Sequence, residues 1–304
     1  MGVYHLAGLG RSPGAITVPL SYIYYFLVEA YRNNNLEARN FFSGSGEASG
    51  NEQWPGKPEA LIIFSSTEIF SGELKPNFCC KLFNIKSDKT VDCIQQYINS
   101  LYNHLGIPNE HQIKYIYGIK VNTFDFSDCF KKAYITMKSL SSKEVWVNLV
   151  GGANQLNLSL MFASFLTLIP RRLYYVFEWD SNTNRASSYL EPINGFDFQQ
   201  MSNNWFEIPP LLVDIDRLRD LYNLISQRGA INICELKRFL NQSSLTPVEN
   251  YIPKLRGSLV NIKNDKVTIS PLFQTVMKLI PQDNEISQNF SQWKNWAEDR
   301  KSVV

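Results

Sequence analysis

VWVNLVGGANQLNLSLM, residues 145–161, changes its periodicity half-way along. Val145, Val147, Leu149 and Val150 form a short, nearly all-apolar run rich in β-branched residues, as a strand buried on both faces requires. Gly151 and Gly152 follow. A helical pattern then opens at Gln155 and continues through Leu158, Met161 and Phe165. The segment therefore reads as strand, tight turn and helix. In an open α/β sheet such a junction lies at the carboxyl edge of the strands, where ligands bind and where a helix start offers unpaired N–H groups to an anion. Taken alone, the stretch fits a turn without any ligand equally well.

The beginning of the chain repeats the design. VYHLAGLGRSPGAITVPLSYIYYFLVEAY predicts a strand from about Val3 to Ala7, a loop from Gly8 to Gly14 and an apolar helix from about Ile16 to Tyr31. Two such loops at one sheet edge can form one site. Gly8, Gly10 and Gly14 provide backbone freedom, Arg11 a fixed charge and Ser12 a hydroxyl, all beside a helix N-terminus. The set suits a ligand that carries phosphate.

Strand and helix patterns alternate between these two units. ALIIFSST, residues 60–67, is a second strand whose polar end, Ser65, Ser66 and Thr67, either contacts ligand or caps the next helix together with Glu68. Residues 77–85 suggest an additional strand, 91–105 a helix, 114–121 a strand, and the run through Phe126, Phe130, Tyr134 and Met137 a helix. RRLYYVFEW, residues 171–179, is a further strand. This alternation predicts a doubly wound, mainly parallel sheet. Residues 33–58 are polar and glycine-rich and read as a surface loop or insertion.

Beyond Pro209 and Pro210 the pattern shifts. Residues 215–228 and 231–241 read as two helices, Thr246, Pro247 and Glu249 as the capped start of a third, and LVNIKNDKVTIS as a hairpin turning at Asn264 and Asp265. Three helices and a β-ribbon resemble a winged helix-turn-helix. The expected division is a ligand-binding domain over 1–182, connecting strands over 183–210, the winged helix over 211–282 and a tail helix over 283–304. Phe290, Trp293 and Trp296 share a face of that tail, which suits docking on core or on a partner subunit.

Composition sets bounds on function. The 304 residues predict about two domains, and 44% hydrophobic residues suffice for their cores. The net charge of +2 gives no global field toward nucleic acid. From Leu211 onward thirteen Lys or Arg face ten Asp or Glu, too even a balance to predict strong duplex binding. The five cysteines, Cys79, Cys80, Cys93, Cys129 and Cys234, have neither disulfide nor zinc spacing. The apolar stretch from Ile16 to Ala30 is too short to span a bilayer and contains Pro19, so a cytoplasmic protein is expected.

HLAGLGRSPGAITVPL with VNLVGGANQLNLSLM resembles the two ligand loops of the CRISPR-associated Rossmann-fold (CARF) domain, over about the first two thirds of the chain. The resemblance implies a Rossmann-like fold, a homodimer and a cyclic oligoadenylate ligand of type III CRISPR antiviral signalling, with cyclic tetra-adenylate suiting a twofold site. It implies a ligand site at Gly8, Leu9, Gly10, Arg11, Ser12, Ser65, Ser66, Thr67, Gly151, Gly152, Ala153, Asn154 and Gln155. The family most often has lysine where this chain has Asn154.

A CARF domain joined to a winged helix resembles ring nucleases that open the messenger and regulators gated by it. Ring cleavage without metal or cofactor is the first expectation, with Arg11, Ser12 and Asn154 as its catalytic groups; a DNA-binding regulator is the alternative. The third helix carries few basic residues, which disfavours DNA. His5, His104 and His111 are the three histidines, none of them in the Arg-to-His spacing of the HEPN ribonucleases, and they leave no carboxylate–histidine cluster for two-metal hydrolysis. A nicotinamide or flavin site is disfavoured because the glycines are spaced G-x-G-x-x-x-G and Ser65 and Ser66 replace the acid expected after the second strand.

Overall fold

The computed structural model describes residues 2–45, 54–77, 85, 87–176, 179–180, 185–186, 198–209, 215–241, 259–281, 293 and 298–299. Contacts divide the chain into two units, residues 1–211 with 284–304, and residues 212–283.

The first unit alternates β1 (Val3–Gly8), α1 (Gly14–Leu27), α2 (Leu36–Phe41), β2 (Pro58–Ser65), α3 (Thr67–Ser71), α4 (Thr90–Leu105), β3 (Tyr115–Lys120), α5 (Phe126–Ser139), β4 (Glu144–Asn148), α6 (Asn154–Thr167) and β5 (Arg172–Val176). β6 (Trp179–Asp180), β7 (Arg185–Ala186), α7 (Phe198–Ser202) and β8 (Trp205–Glu207) follow, and β12 (Glu298–Asp299) returns after the second unit. The main sheet runs β12-β3-β2-β1-β4-β5-β8. Its five central strands are parallel, and both edge strands are antiparallel. The α/β, Rossmann-like sheet is thus as expected.

The order 3-2-1-4-5 fixes the helices. Connections from β1 to β2 and from β2 to β3 run one way along the sheet, those from β3 to β4 and from β4 to β5 the other. Right-handed crossovers then place α1 and α4 on one face and α5 and α6 on the opposite one. Between β1 and β4 the winding reverses, and the loops after these two strands emerge side by side.

α1 is buried at every position. Its polar side chains are paired there: Ser21 Oγ lies 2.8 Å from Tyr97 OH, and Tyr24 OH 3.1 Å from Tyr102 OH. α2 stands inside the stretch expected to be loop. Asn35 starts it by accepting from the N–H groups of Glu37 and Ala38, and Phe41 and Phe42 then join an aromatic cluster with Trp146 and Trp205. The Arg172 guanidinium lies between the Phe41 and Trp146 rings, 4.5 Å from each centroid, and donates to the Phe41 carbonyl. Residues 46–53 and most of the strand expected over 77–85 lie outside the described residues.

α6 forms over the stretch whose pattern runs through Leu158, Met161 and Phe165. Leu156, Leu160, Ala163 and Phe165 are buried, Ser159 and Ser164 meet Phe126 and Met137 of α5, and Leu158 is 45% exposed and Phe162 46%. The helix is apolar nearly all round, so periodicity alone selects no face.

Trp293 is fully buried: its Nε1 donates to Thr136 Oγ1 at 3.1 Å, and its ring meets Tyr117 edge-on. Glu298–Asp299 then add an edge strand to β3 where a tail helix was expected, because the free edge of β3 offers unpaired backbone groups. Phe290 and Trp296 lie outside the described residues.

The second unit contains α8 (Ile215–Arg228), β9 (Ile231–Asn232), α9 (Ile233–Asn241), β10 (Val260–Lys263), β11 (Lys266–Ile269) and α10 (Pro271–Leu279). Gly229 at φ +74° ends α8. Asn232 and Glu235 cap α9 reciprocally, at 2.8 and 3.0 Å. The hairpin turns at Asn264 and Asp265, both left-handed, and β9 completes a three-stranded sheet. Thr246, Pro247, Glu249, Lys254 and Arg256, the expected third helix, lie outside the described residues.

Candidate functional site

The loops after β1 and β4 meet at the reversal point of the sheet and pack glycine against glycine. A β-carbon on Gly8 would stand 2.6 Å from the Gly151 carbonyl oxygen, and one on Gly152, which adopts φ +104°, 3.1 Å from Gly8 Cα. These glycines are needed for the two loops to touch each other. Gly10 differs, since a β-carbon there meets no atom within 4 Å. Its open side is available to a ligand.

The β1 loop is fastened along its length. Leu9 N donates to Phe64 O, and Ser65 Oγ donates to Leu9 O at 2.6 Å. Arg11 Nε donates to Lys75 O at 2.8 Å, and Asn77 N donates to Arg11 O at 2.9 Å. These contacts fix the backbone and one edge of the guanidinium while Arg11 itself stays exposed. Ser12 is half-buried, just before the helix.

Neither helix start carries a side-chain cap. Pro13 and Ala153 precede α1 and α6, and neither first turn contains an acid. Their N-terminal amides and aligned dipoles leave partial positive charge at one place. Asn154 and Gln155 are exposed above it, with Gly152 and Ala153 half-buried.

Not all of the predicted residues face outward. Gly8, Leu9, Ser65 and Gly151 are buried, and the Ser65 hydroxyl is occupied by Leu9. Ser66 is half-buried; its hydrogen bond to Glu68 holds that exposed carboxyl below its usual range. Thr67 is exposed at the start of α3. The surface group of the site is therefore Gly10, Arg11, Ser12, Gly152, Ala153, Asn154 and Gln155, with Ser66 and Thr67 at one side.

One buried residue escaped sequence reasoning. Asn148 ends β4 at 3% exposure; its Nδ2 donates to Ala15 O at 2.9 Å and its Oδ1 accepts from Val150 N at 2.8 Å. The available signal was a single amide inside VWVNLV. His5, in the middle of β1, is fully buried, and burial pushes its imidazole down to about 3. Its Nδ1 lies 3.3 Å from Tyr174 OH. Among the described residues, no three His, Cys, Asp or Glu side chains gather to hold a metal ion, and no helix is long and apolar enough to cross a membrane.

No family model matches the sequence. An uncharacterized protein of Archaeoglobus fulgidus is 30% identical over 309 residues, spanning 97% of this chain and 95% of the archaeal one. The chain belongs to the family of that archaeal protein. Among solved structures, Enterococcus italicus Csm6 bound to cyclic hexa-2'-fluoro-hexa-dAMP is 13% identical with a TM-score of 0.37, covering 84% of this chain and 52% of the Csm6 chain. Can2 from Sulfobacillus thermosulfidooxidans in complex with cyclic tetra-adenylate is 10% identical with a TM-score of 0.31, covering 92% of this chain and 63% of that one. This family member thus spans between half and two thirds of those solved chains, and its loop geometry stands independently of them.

Proposed function

We propose that the site between β1 and β4 binds a cyclic oligoadenylate of type III CRISPR antiviral signalling and opens the ring without a metal ion. The observation that carries this reading is the fusion of two glycine loops at one sheet edge, each leading into a helix start with no acid and no side-chain cap. Partial positive charge collects where the strand order reverses, the place where open α/β sheets take phosphate-bearing ligands. The resemblance of the two loops to CARF loops supplies the ligand class.

In this reading a ribose 2′-hydroxyl attacks the adjacent phosphorus. The 2′-oxygen–phosphorus bond forms, the phosphorus–5′-oxygen bond breaks, and the hydroxyl proton ends on the departing 5′-oxygen. The product is linear and ends in a 2′,3′-cyclic phosphate. Arg11 and the loop amides stabilise the charge developing on the non-bridging oxygens, and Ser12 helps hold the phosphate in line. Asn154 offers neutral hydrogen bonds, roughly half as strong as charge-assisted ones. Arg11 thus supplies the full charge in place of the family's lysine.

A homodimer completes the ring site. The exposed side of α6, with Leu158 and Phe162, together with Phe124 at 92% exposure, supports a second copy on that face. A twofold axis gives two equivalent nucleotides of cyclic tetra-adenylate to each subunit.

The second reading is a cytoplasmic regulator that binds messenger without cutting it and reaches DNA through a winged helix over 211–282. The order of α8, α9 and the β10–β11 hairpin favours it, as do the exposed Lys263 and Lys266 beside the turn.

Purified protein incubated with radiolabelled cyclic tetra- and hexa-adenylate in EDTA separates the readings. Linear product ending in a cyclic phosphate is the expected result. Tight binding without cleavage selects the regulator, and neither binding nor cleavage removes the ligand assignment.

A further inference from the structure

Pro19 lies inside α1. Its ring nitrogen carries no hydrogen, so the carbonyl four residues earlier, that of Ala15, has no helical donor. Ala15 is in the first turn of α1, directly after the β1 loop. The missing donor comes from across the sheet: Asn148 Nδ2 donates to Ala15 O at 2.9 Å. The same amide accepts from Val150 N through Oδ1 at 2.8 Å. A carbonyl on one side and an N–H on the other leave the amide only one orientation.

Each of these residues is unfavourable on its own. A proline inside a helix removes a hydrogen bond, and an amide in a buried strand is destabilising unless both its halves are paired. Together they resolve both defects. The pair joins the first turn of α1 to Val150, the residue before Gly151 and Gly152. The consequence reaches the surface of the site, because the donors of the two loops are then held in one register.

We infer that Asn148 is a positioning residue of the ligand site, and that Pro19 reserves the Ala15 carbonyl for it. Asn148 is buried and touches no ligand; it acts through the backbone of Val150 and the start of α1. This inference rests on the ligand reading above, and its test has one arm that needs no ligand.

The test uses the full chain with Asn148→Ala, Pro19→Ala and the two combined. Pro19→Ala returns an N–H to the helix, so Ala15 O regains a partner whether or not Asn148 is present. Three quantities are read: urea unfolding, binding of cyclic tetra-adenylate, and hydrogen exchange at the Val150 amide. Asn148→Ala is expected to lower stability, to speed exchange at Val150, and to weaken binding about tenfold, the scale of one lost hydrogen bond. Adding Pro19→Ala should restore part of the stability and leave exchange fast and binding weak, while Pro19→Ala alone behaves as wild type.

Recovery of binding together with stability in the double variant would overturn the inference, because Asn148 would then only fill the Ala15 carbonyl. Slow Val150 exchange in the double variant would overturn it as well. If Asn148→Ala alone does not fold, the double variant is compared with Pro19→Ala. If wild type binds no cyclic tetra-adenylate, the ligand reading fails, and the exchange data still decide whether Asn148 holds the loop.

Discussion

Gly151 and Ala15 leave no room for a side chain between them: a β-carbon on Gly151 would stand 1.9 Å from that of Ala15. The β4 loop is thereby pressed onto the first turn of α1. Gly151→Ala must push the loops apart, and overpacking of this kind destabilises by about 1–3 kcal/mol. Urea unfolding should show that loss, and Ala15→Gly in the same chain should recover part of it. A Gly151→Ala protein as stable as wild type would refute the contact.

Ser65 supports the β1 loop from beneath. Ser65→Ala leaves the Leu9 carbonyl without its hydroxyl donor, a loss of about 1–3 kcal/mol when the acceptor is buried. The expected signature is a lower unfolding midpoint with a smaller change in ligand affinity. An affinity loss without a stability loss would mean that the hydroxyl meets ligand directly.

Gly10 gives the opposite expectation. The space beside it is open, so Gly10→Ala should leave the unfolding midpoint unchanged. If ligand lies against that backbone, the added methyl reduces affinity for cyclic tetra-adenylate by about tenfold, the size of one lost close contact. Unchanged affinity would place the ligand elsewhere along the loop.

Arg11 and Ser12 separate binding from chemistry. Arg11→Ala removes both a surface charge and the hydrogen bond to Lys75, so binding and cleavage should both weaken. Ser12→Ala should reduce single-turnover cleavage more than it reduces binding. Equal activity in both variants would exclude these residues from the mechanism.

His5 introduces a pH dependence of known sign. Its ordinary value is 6.5 and the folded value is about 3, so the neutral ring is favoured in the fold. Below 6.5 the unfolded chain takes up a proton that the folded chain refuses, and stability falls as pH drops toward 3. The slope approaches about 1.4 kcal/mol per pH unit. Unfolding measured from about pH 7 to pH 5 should therefore fall more steeply in wild type than in His5→Asn. Parallel pH profiles would show that His5 titrates normally.

The strands around the site were legible because each is a short apolar run ended by glycine or serine. The two loops were legible for the same reason: Gly8, Gly10, Gly151 and Gly152 mark the places where a strand stops and a helix starts. Other features depend on contacts far apart in sequence. Asn148 and Pro19 each look like a local fault until they are seen as partners. α2 was hidden because its flanks are polar, and only the cap by Asn35 and the burial of Phe42 reveal its start and its anchor. In α6 the apolar residues are spread nearly all round, so the pattern through Leu158, Met161 and Phe165 marked the helix without marking its buried side, where Phe165 lies and Leu158 does not. The serines divide on equally distant contacts, since Ser12 stays at the surface while Ser65 turns inward to the Leu9 carbonyl.

The position of β12 in the main sheet has a further effect, on the order of synthesis. The chain leaves this sheet from one edge at β8 and rejoins it at the opposite edge only after residues 212–283 have been made. A ribosome therefore releases the whole second unit before Trp293 and β12 can join the first. Domains that emerge early usually fold early. Here the unit that appears first is completed only after the second, and the edge of β3 stays open to other strands until Glu298–Asp299 have been made.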